Sequence, residues 1–428
     1  MTRQAARRKA SPGSRGPSPR RARRRHPIGL ALAGGGPFGA IYEIGVLMAL
    51  QESLEGIDFA DLDVYVGVSA GSFLAAALAN RVPASEIYHL FIRDDEVEGA
   101  LTPEVFMRPA FREYWRRARR IPPIAVRSLL RYVSRPLSTS PLESFAALGR
   151  ALPTGVFDSG AIHDYLDAVF SQPNRTNDFR RLRRKLYLVA TDLDSGESVS
   201  FGRPGHDHVP IARAVQASAA LPGLFPPVEI DGHYFVDGAL RKTLHASEAL
   251  DDGARLVICI NPIVPYDARL AAEKGTRREK LVEGGLPVVL SQTFRAIIHS
   301  RMAVGLSKYR TQYPGSDVVL FQPDPDDSET FFTNIFSYAT RQRVCEHAYR
   351  RTRRDLLRRQ HELTPLFARH GIRLRLDVLH DPSRRLGMRL DRKMPGRFWD
   401  TGLPETAAEL RGAMVDLRRW IERERPAP

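Results

Sequence analysis

The sequence predicts an α/β fold, and three observations predict it. Short apolar runs of strand length alternate with stretches of helical periodicity from Pro27 to about Pro262. A glycine cluster, Gly34 to Gly39, joins the first run to the first helical stretch. A second small-residue junction, Gly67-Val68-Ser69-Ala70-Gly71, joins the next run to the next helix.

The elements follow in order. Ile28–Leu32 reads as a short buried strand, and Ala40–Glu52 as a buried helix with apolar residues at Ile41, Ile44, Val46, Leu47 and Leu50. Asp63–Gly67 is the next strand and Ser72–Ala79 the helix after it. Further strands are expected at Lys185–Thr191, Ser198–Phe201, His233–Val236 and Arg255–Ile260. Helices are expected at Ser159–Phe170, Ile211–Ala219 and Gln292–Ser307. Asp317 to Phe321 adds a late strand, and Arg341 to Arg359 a covering helix. The tail from about Glu362 is basic and poorly patterned, with Pro404 to Glu424 as a final helix. No internal repeat is visible.

Three segments carry chemistry. Ser69 lies in G-x-S-x-G at a tight strand-to-helix turn, where small neighbours let the backbone bend and hold the hydroxyl out from the end of a sheet. The following helix start points unpaired N–H groups toward the same place. Alone the pattern is weak, since a glycine-rich turn satisfies it. Upstream, Gly34, Gly35 and Gly36 leave backbone N–H groups uncovered by side chains, the donors an acyl-transfer enzyme needs for its oxyanion. The rival is a dinucleotide fingerprint, because Gly34, Gly36 and Gly39 also spell G-x-G-x-x-G after a strand. That fingerprint wants an acid closing the second strand, where this chain has Gly67-Val68-Ser69. Downstream, Asp237 ends a β-type run and precedes Gly238. Most Asp-Gly pairs are only turns, but this one follows a helix end and a proline-stiffened apolar loop, Ala217 to Val228, suited to wall an acyl-chain pocket.

On four ordered blocks the chain resembles the patatin-like phospholipase family. They are Gly34 to Gly39 with Gly45-Val46-Leu47 behind it, Gly67 to Gly71, Ser218 to Val228, and Asp237-Gly238-Ala239. Ala190 to Glu197 also looks like the strand and turn that family places before its third block. The resemblance covers about Pro27 to Pro262, and more loosely Asp317 to Leu357. It implies a patatin-like three-layer fold, a mostly parallel central sheet with helices on both faces and a nucleophile elbow. It implies a lipid acyl hydrolase acting on phospholipid or lysophospholipid esters through a Ser–Asp dyad, Ser69 as nucleophile and Asp237 as base. The oxyanion hole would be backbone N–H groups of Gly34, Gly35 and Gly36, with Ala70. Gly39, Gly67, Gly71 and Gly238 support the motifs. One departure is plain: the family usually has Arg or Lys before the last glycine of the loop, and this chain has Phe38. A triad with His245 is the alternative to the dyad. A nucleotide-binding enzyme and a catalytically idle membrane-associated protein are the alternatives to the hydrolase. His206-Asp207-His208 sits in a polar loop without a partnering motif, so neither metal nor cofactor is expected.

Composition suits one large α/β core with additions, since the chain has 428 residues, 43% of them hydrophobic. No apolar run approaches the roughly 18 residues of a membrane span, so no membrane-spanning segment is expected. Two cysteines, Cys259 and Cys345, supply no disulfide framework, which is compatible with a reducing compartment. The formal net charge is +15, and residues 1–26 hold ten Arg or Lys and no acid, leaving about +5 for the remainder. That head is expected to be a disordered basic tail. It mimics a signal peptide, but its apolar part is six residues against the usual 7–15. Cleavage there would also part the first strand from the glycine loop, so a cytoplasmic, peripherally membrane-associated protein is expected. Arg112 to Arg135 carries eight arginines against Glu113, interleaved with aromatic and aliphatic residues. It reads either as a segment resting on an anionic membrane or as an ordinary helical pair with snorkelling arginines. The division expected is a tail over 1–26, a catalytic domain over 27–360 with its core in 27–262 and an insertion at about 100–150, and an extension over 361–428. The expected partner is a lipid substrate, not nucleic acid.

Overall fold

The computed structural model describes residues 26–92, 154–275, 280–331 and 338–387. The basic head, the Arg112–Arg135 segment and the Pro404–Glu424 helix lie outside the described residues.

The strands are β1 (Ile28–Leu32), β2 (Leu54–Glu55), β3 (Val64–Val68), β4 (Lys185–Asp192), β5 (Ser198–Phe201), β6 (Val228–Ile230), β7 (His233–Asp237), β8 (Leu256–Ile260), β9 (Asp317–Phe321) and β10 (Arg373–Leu374). Eight of them form one sheet in the order β6-β7-β4-β3-β1-β8-β9, with β5 also on β4. From β4 through β9 every pairing is parallel; β5, β6 and β7 join antiparallel. The parallel strands are buried on both faces, which is why β1, β3 and β8 read as continuous apolar runs.

Alternating residues divide the core into two layers. Leu30, Leu32, Tyr65, Leu188 and Ile258 point into the larger layer. It is covered by α1 (Gly36–Ser53), α2 (Ala70–Ala79), α3 (Ala84–Phe91), α4 (Gly160–Phe170) and α5 (Ile211–Ser218). Ala31, Val66, Val68, Val189 and Cys259 point the other way, beneath α6 (Ala246–Asp251) and the C-terminal half of α7 (Gly285–Gln312), which supplies Met302 and Tyr309. The result is an α/β three-layer fold with helices on both faces. α8 (Tyr338–Arg358) lies along α1, and their contact is set by Gly45. A Cβ there would stand 2.4 Å from the Cys345 carbonyl oxygen and 2.8 Å from Ala348 Cβ. Both cysteines are buried free thiols.

Three expectations about extent change. The first helix begins at Gly36 and not Ala40, because Pro37 fits a first helical turn as well as a loop. The stretch after Glu362 is described as far as Gly387 and holds regular elements. α9 (Gln360–Arg369) and β10 pack back on the body, β10 pairing with β2, an edge too short for periodicity to announce. The helix expected at Gln292–Ser307 runs from Gly285 to Gln312. Among the described residues, Leu281–Gln312 is long and apolar enough to cross a membrane by length and composition. No uninterrupted run is visible in the sequence because Gln292, Arg295 and Arg301 break it.

Filling the α1–α8 contact is expected to part the helices. Gly45→Val should lower the unfolding free energy by about 1–3 kcal/mol in urea denaturation, since a backbone carbonyl cannot rotate away as a side chain can. An unchanged midpoint would mean that the contact does not hold α8 to α1.

Candidate active site

The register of the sheet brings the serine and the aspartate together. β4 pairs with β3 through Lys185 to Val189 and with β7 through Ala190 to Asp192. β5 covers Leu188 to Thr191, overlapping both, and a strand has only two edges. β3 and β7 therefore share one edge of β4, end to end. Val68 lies opposite Val189 and Asp237 opposite Ala190, so the two strand ends meet head-on. A Cβ on Gly238 would fall 2.3 Å from the Val189 carbonyl oxygen and 3.2 Å from a Val68 methyl, which shows how closely the ends abut.

Ser69 stands at that junction with φ 52° and ψ −125°, a conformation non-glycine residues rarely adopt. Neighbouring groups hold it there. Its amide donates to Ser218 Oγ at 2.9 Å, and that hydroxyl donates to the Val189 carbonyl at 2.6 Å. Its carbonyl accepts from the amide and the hydroxyl of Ser72. Gly71 lets α2 start directly against the end of β1, since a Cβ there would meet the Ala33 carbonyl oxygen at 2.6 Å.

Asp237 is 2% exposed and Ser69 7%. Burial raises the Asp237 pKa to about 6, opposed by a side-chain hydrogen bond with Ser69 and by the Ala239 amide, which donates to Oδ1 at 2.8 Å. The Asp237 backbone is itself held, its amide donating to the Ala220 carbonyl at 3.0 Å.

The glycine loop closes the third side. A Cβ on Gly34 would lie 3.0 Å from both Ser69 Cβ and Ala239 Cβ, so the loop rests on the serine and on the aspartate block together. Among the described residues the Gly34 and Gly35 amides donate to no protein acceptor. α1 starts at Gly36 and α2 at Ala70, and neither carries an acid in its first turn. Two helix N-termini thus leave positive partial charge near one hydroxyl. Phe38, where a cation was expected from the resemblance, packs half-buried on the larger core layer. Ser69, Asp237, Gly34, Gly35, Gly36, Ala70, Gly39, Gly67, Gly71 and Gly238 thus all fall on the three segments that meet here.

His245 does not join them. Burial drives its pKa down to about 3, its Nε2 has no hydrogen-bond partner, and its ring is tied instead to the backbone of Lys242. Among the described residues no group of three or more His, Cys, Asp or Glu side chains is placed to hold a metal ion.

A family model described as patatin-like phospholipase matches residues 30–250, just over half the chain. The chain belongs to the patatin-like phospholipase family. Uncharacterized NTE family proteins of Mycobacterium tuberculosis and Mycobacterium bovis are 37% identical over 73 residues, 17% of this chain and 19% of theirs. The chain thus spans about a fifth of the length of these curated relatives. The crystal structure of VipD from Legionella pneumophila is similar with a TM-score of 0.35 at 16% identity, covering 77% of this chain and 66% of that one. The type III effector protein ExoU gives 0.33 at 14% identity, covering 76% and 52%.

Within this patatin-like domain, sequence reasoning missed the role of Ser218 and the enclosed acid Glu43. Ser218 opens the third block, but only its 2.9 Å bond from the Ser69 amide gives it a task. Glu43 lies on the buried face of α1, fully enclosed, with neither carboxyl oxygen completing a hydrogen bond. Burial raises its pKa well above the usual carboxylate range, and only the Ala33 amide opposes that. A lone acid inside the apolar stretch from Ile41 to Leu50 was the signal that could have found it.

Both acids have folded pKa values above their unfolded ones, so the fold is most stable when they are protonated. That stability is fully present below the unfolded value and is lost as pH rises through the folded one. For Asp237 the window runs from about 4 to about 6, and two units correspond to about 3 kcal/mol. Asp237→Asn and Glu43→Gln should therefore each raise the unfolding midpoint at pH 8 and leave it nearly unchanged at pH 4. Equal shifts at both pH values would place these carboxyls outside the buried environment described.

Proposed function

We propose that the protein is a lipid acyl hydrolase that cleaves carboxylic esters of phospholipids or lysophospholipids through Ser69 and Asp237. The observation that carries this reading is the meeting of the β3 and β7 ends, which sets the buried Asp237 carboxyl, its pKa raised to about 6, beside a serine on a strained elbow. A solvated aspartate is a feeble base toward a hydroxyl. Desolvation makes Asp237 a better one while leaving it ionised at neutral pH.

The course follows. Asp237 accepts the Ser69 proton as Oγ attacks the ester carbonyl carbon, and the carbonyl electron pair moves onto oxygen. The amides of Gly34, Gly35 and Gly36, with Ala70, receive that oxyanion; loss of one such donor typically costs about 3 kcal/mol of barrier. The tetrahedral intermediate collapses, the leaving alcohol takes the proton from Asp237, and an acyl-serine remains. Water then gives a proton to Asp237 and attacks the acyl carbon, releasing fatty acid and restoring the Ser69 hydroxyl. The half-buried Phe38 leaves this oxyanion site reliant on backbone donors and the two helix termini. The buried, unpaired thiols Cys259 and Cys345 suit a reducing, cytoplasmic setting.

Fluorophosphonate labelling tests the proposal. Wild type should label, and Ser69→Ala and Asp237→Asn should each lose labelling while remaining folded; full labelling of Ser69→Ala would refute it. Because the base acts deprotonated, kcat/KM on a soluble ester should rise with pH along a limb near 6 and then level. A limb at the ordinary aspartate value would mean that Asp237 is not the base.

A further inference from the structure

α7 is built inside out. At about 100° per residue, Val288, Gln292, Arg295, His299, Met302, Leu306 and Tyr309 share one side of the helix. Together with Ile298 and Gly305, these are the positions buried or half-buried against the protein. In the N-terminal half they are Val288, Gln292, Arg295 and Ile298, so two of the four are polar. The opposite side carries Leu286, Val289, Leu290, Phe294, Ile297 and Val304, and these face solvent, Leu286 at 69% and Phe294 at 54% exposure. A helix covering a soluble core shows the reverse pattern.

Two of the inward polar groups, and one exposed arginine, have identifiable work. Gln292 makes paired hydrogen bonds with the Tyr266 backbone at 3.0 and 2.8 Å, and Arg295 donates to the Val264 carbonyl at 3.2 Å. That segment begins at Pro262, against which Gly35 and Gly39 pack. Arg301 donates to the Leu240 carbonyl at 3.2 Å, three residues past Asp237. The helix therefore grips the backbone on two sides of the candidate site and turns its apolar side away.

Charge selects the occupant of that apolar side. Between Gly285 and Gln312 there is no acid, whereas Arg301, Lys308 and Arg310 are exposed; Lys280 and Glu283, of opposite charge, precede the helix. We propose that α7 is a membrane-docking helix that lies in the headgroup layer of an anionic lipid surface, placing the Ser69 site at that surface. This deepens the hydrolase reading and rests on it for its purpose, though not for its test. The helix lies on the membrane and does not span it, because Gln292 and Arg295 bond to the protein backbone and Met302 and Tyr309 are buried in the second core layer. An apolar side flanked by cations is the pattern of interfacial helices.

Co-sedimentation of the full chain with phosphatidylcholine vesicles, with and without phosphatidylglycerol, tests the assignment. Wild type and Ser69→Ala should bind the anionic vesicles alike, and pure phosphatidylcholine at least about tenfold more weakly. Leu286→Asp/Phe294→Asp/Ile297→Asp should lose at least about tenfold in binding, with turnover of a soluble short-chain ester unchanged. Lys308→Glu/Arg310→Glu should lose the preference for anionic lipid. In Phe294→Trp the emission should shift to the blue on anionic vesicles alone. The proposal is overturned if wild type ignores the vesicles or the triple variant binds as wild type does. It is also overturned if wild type self-associates without lipid through this face and the triple variant stays monomeric. Vesicle binding without ester cleavage would uphold the docking helix and sink only the hydrolase.

Discussion

Ser69 keeps φ 52° because α2 begins directly against the end of β1, with no residues to spare for an ordinary turn. A backbone of this kind in a non-glycine residue costs about 1–3 kcal/mol and survives only where the surroundings over-determine it. Here they do. Gly71 admits the close approach, Ser218 takes the amide and Ser72 takes the carbonyl. The hydroxyl has nowhere to go but toward the place where β7 ends.

β4 is the other half of the arrangement. One of its edges receives a parallel strand up to Val189 and an antiparallel one from Ala190, so two strand ends confront each other inside a sheet. Such a junction is buried because both faces are covered, and burial makes the Asp237 carboxylate a usable base. The same dryness encloses Glu43 without a partner. The molecule thus carries two buried acids near the glycine loop, each opposing the fold at neutral pH. Such a cost is tolerated when the rest of the core, apolar on both sides of the sheet, exceeds it.

α7 extends this logic to the surface. Gln292 and Arg295 turn inward to hold the Pro262–Tyr266 segment and Arg301 reaches the Leu240 carbonyl, while Leu286, Phe294 and Ile297 are left outward. An apolar exterior on a helix so placed makes physical sense beside a lipid phase, where the proposed substrate resides. Phe38 fits the same picture of a site that relies on backbone dipoles and not on a local cation.

The sequence by itself determined the strands β1, β3, β4 and β8, because strands buried on both faces must be continuously apolar and are legible as such. It also determined the three site segments, since sharp strand-to-helix turns and close backbone approaches admit few residues besides Gly, Ser and Ala. Helix starts were less legible, because Pro37 and Gly36 suit a loop and a first turn equally. The role of Ser218, the isolation of His245 and the pairing of β10 with β2 were not legible at all, as each depends on partners far along the chain. The head-on meeting of β3 and β7 on β4 was decided only by the tertiary structure. So was the outward turn of α7, since a helical period reveals that two faces differ but not which one the protein will cover.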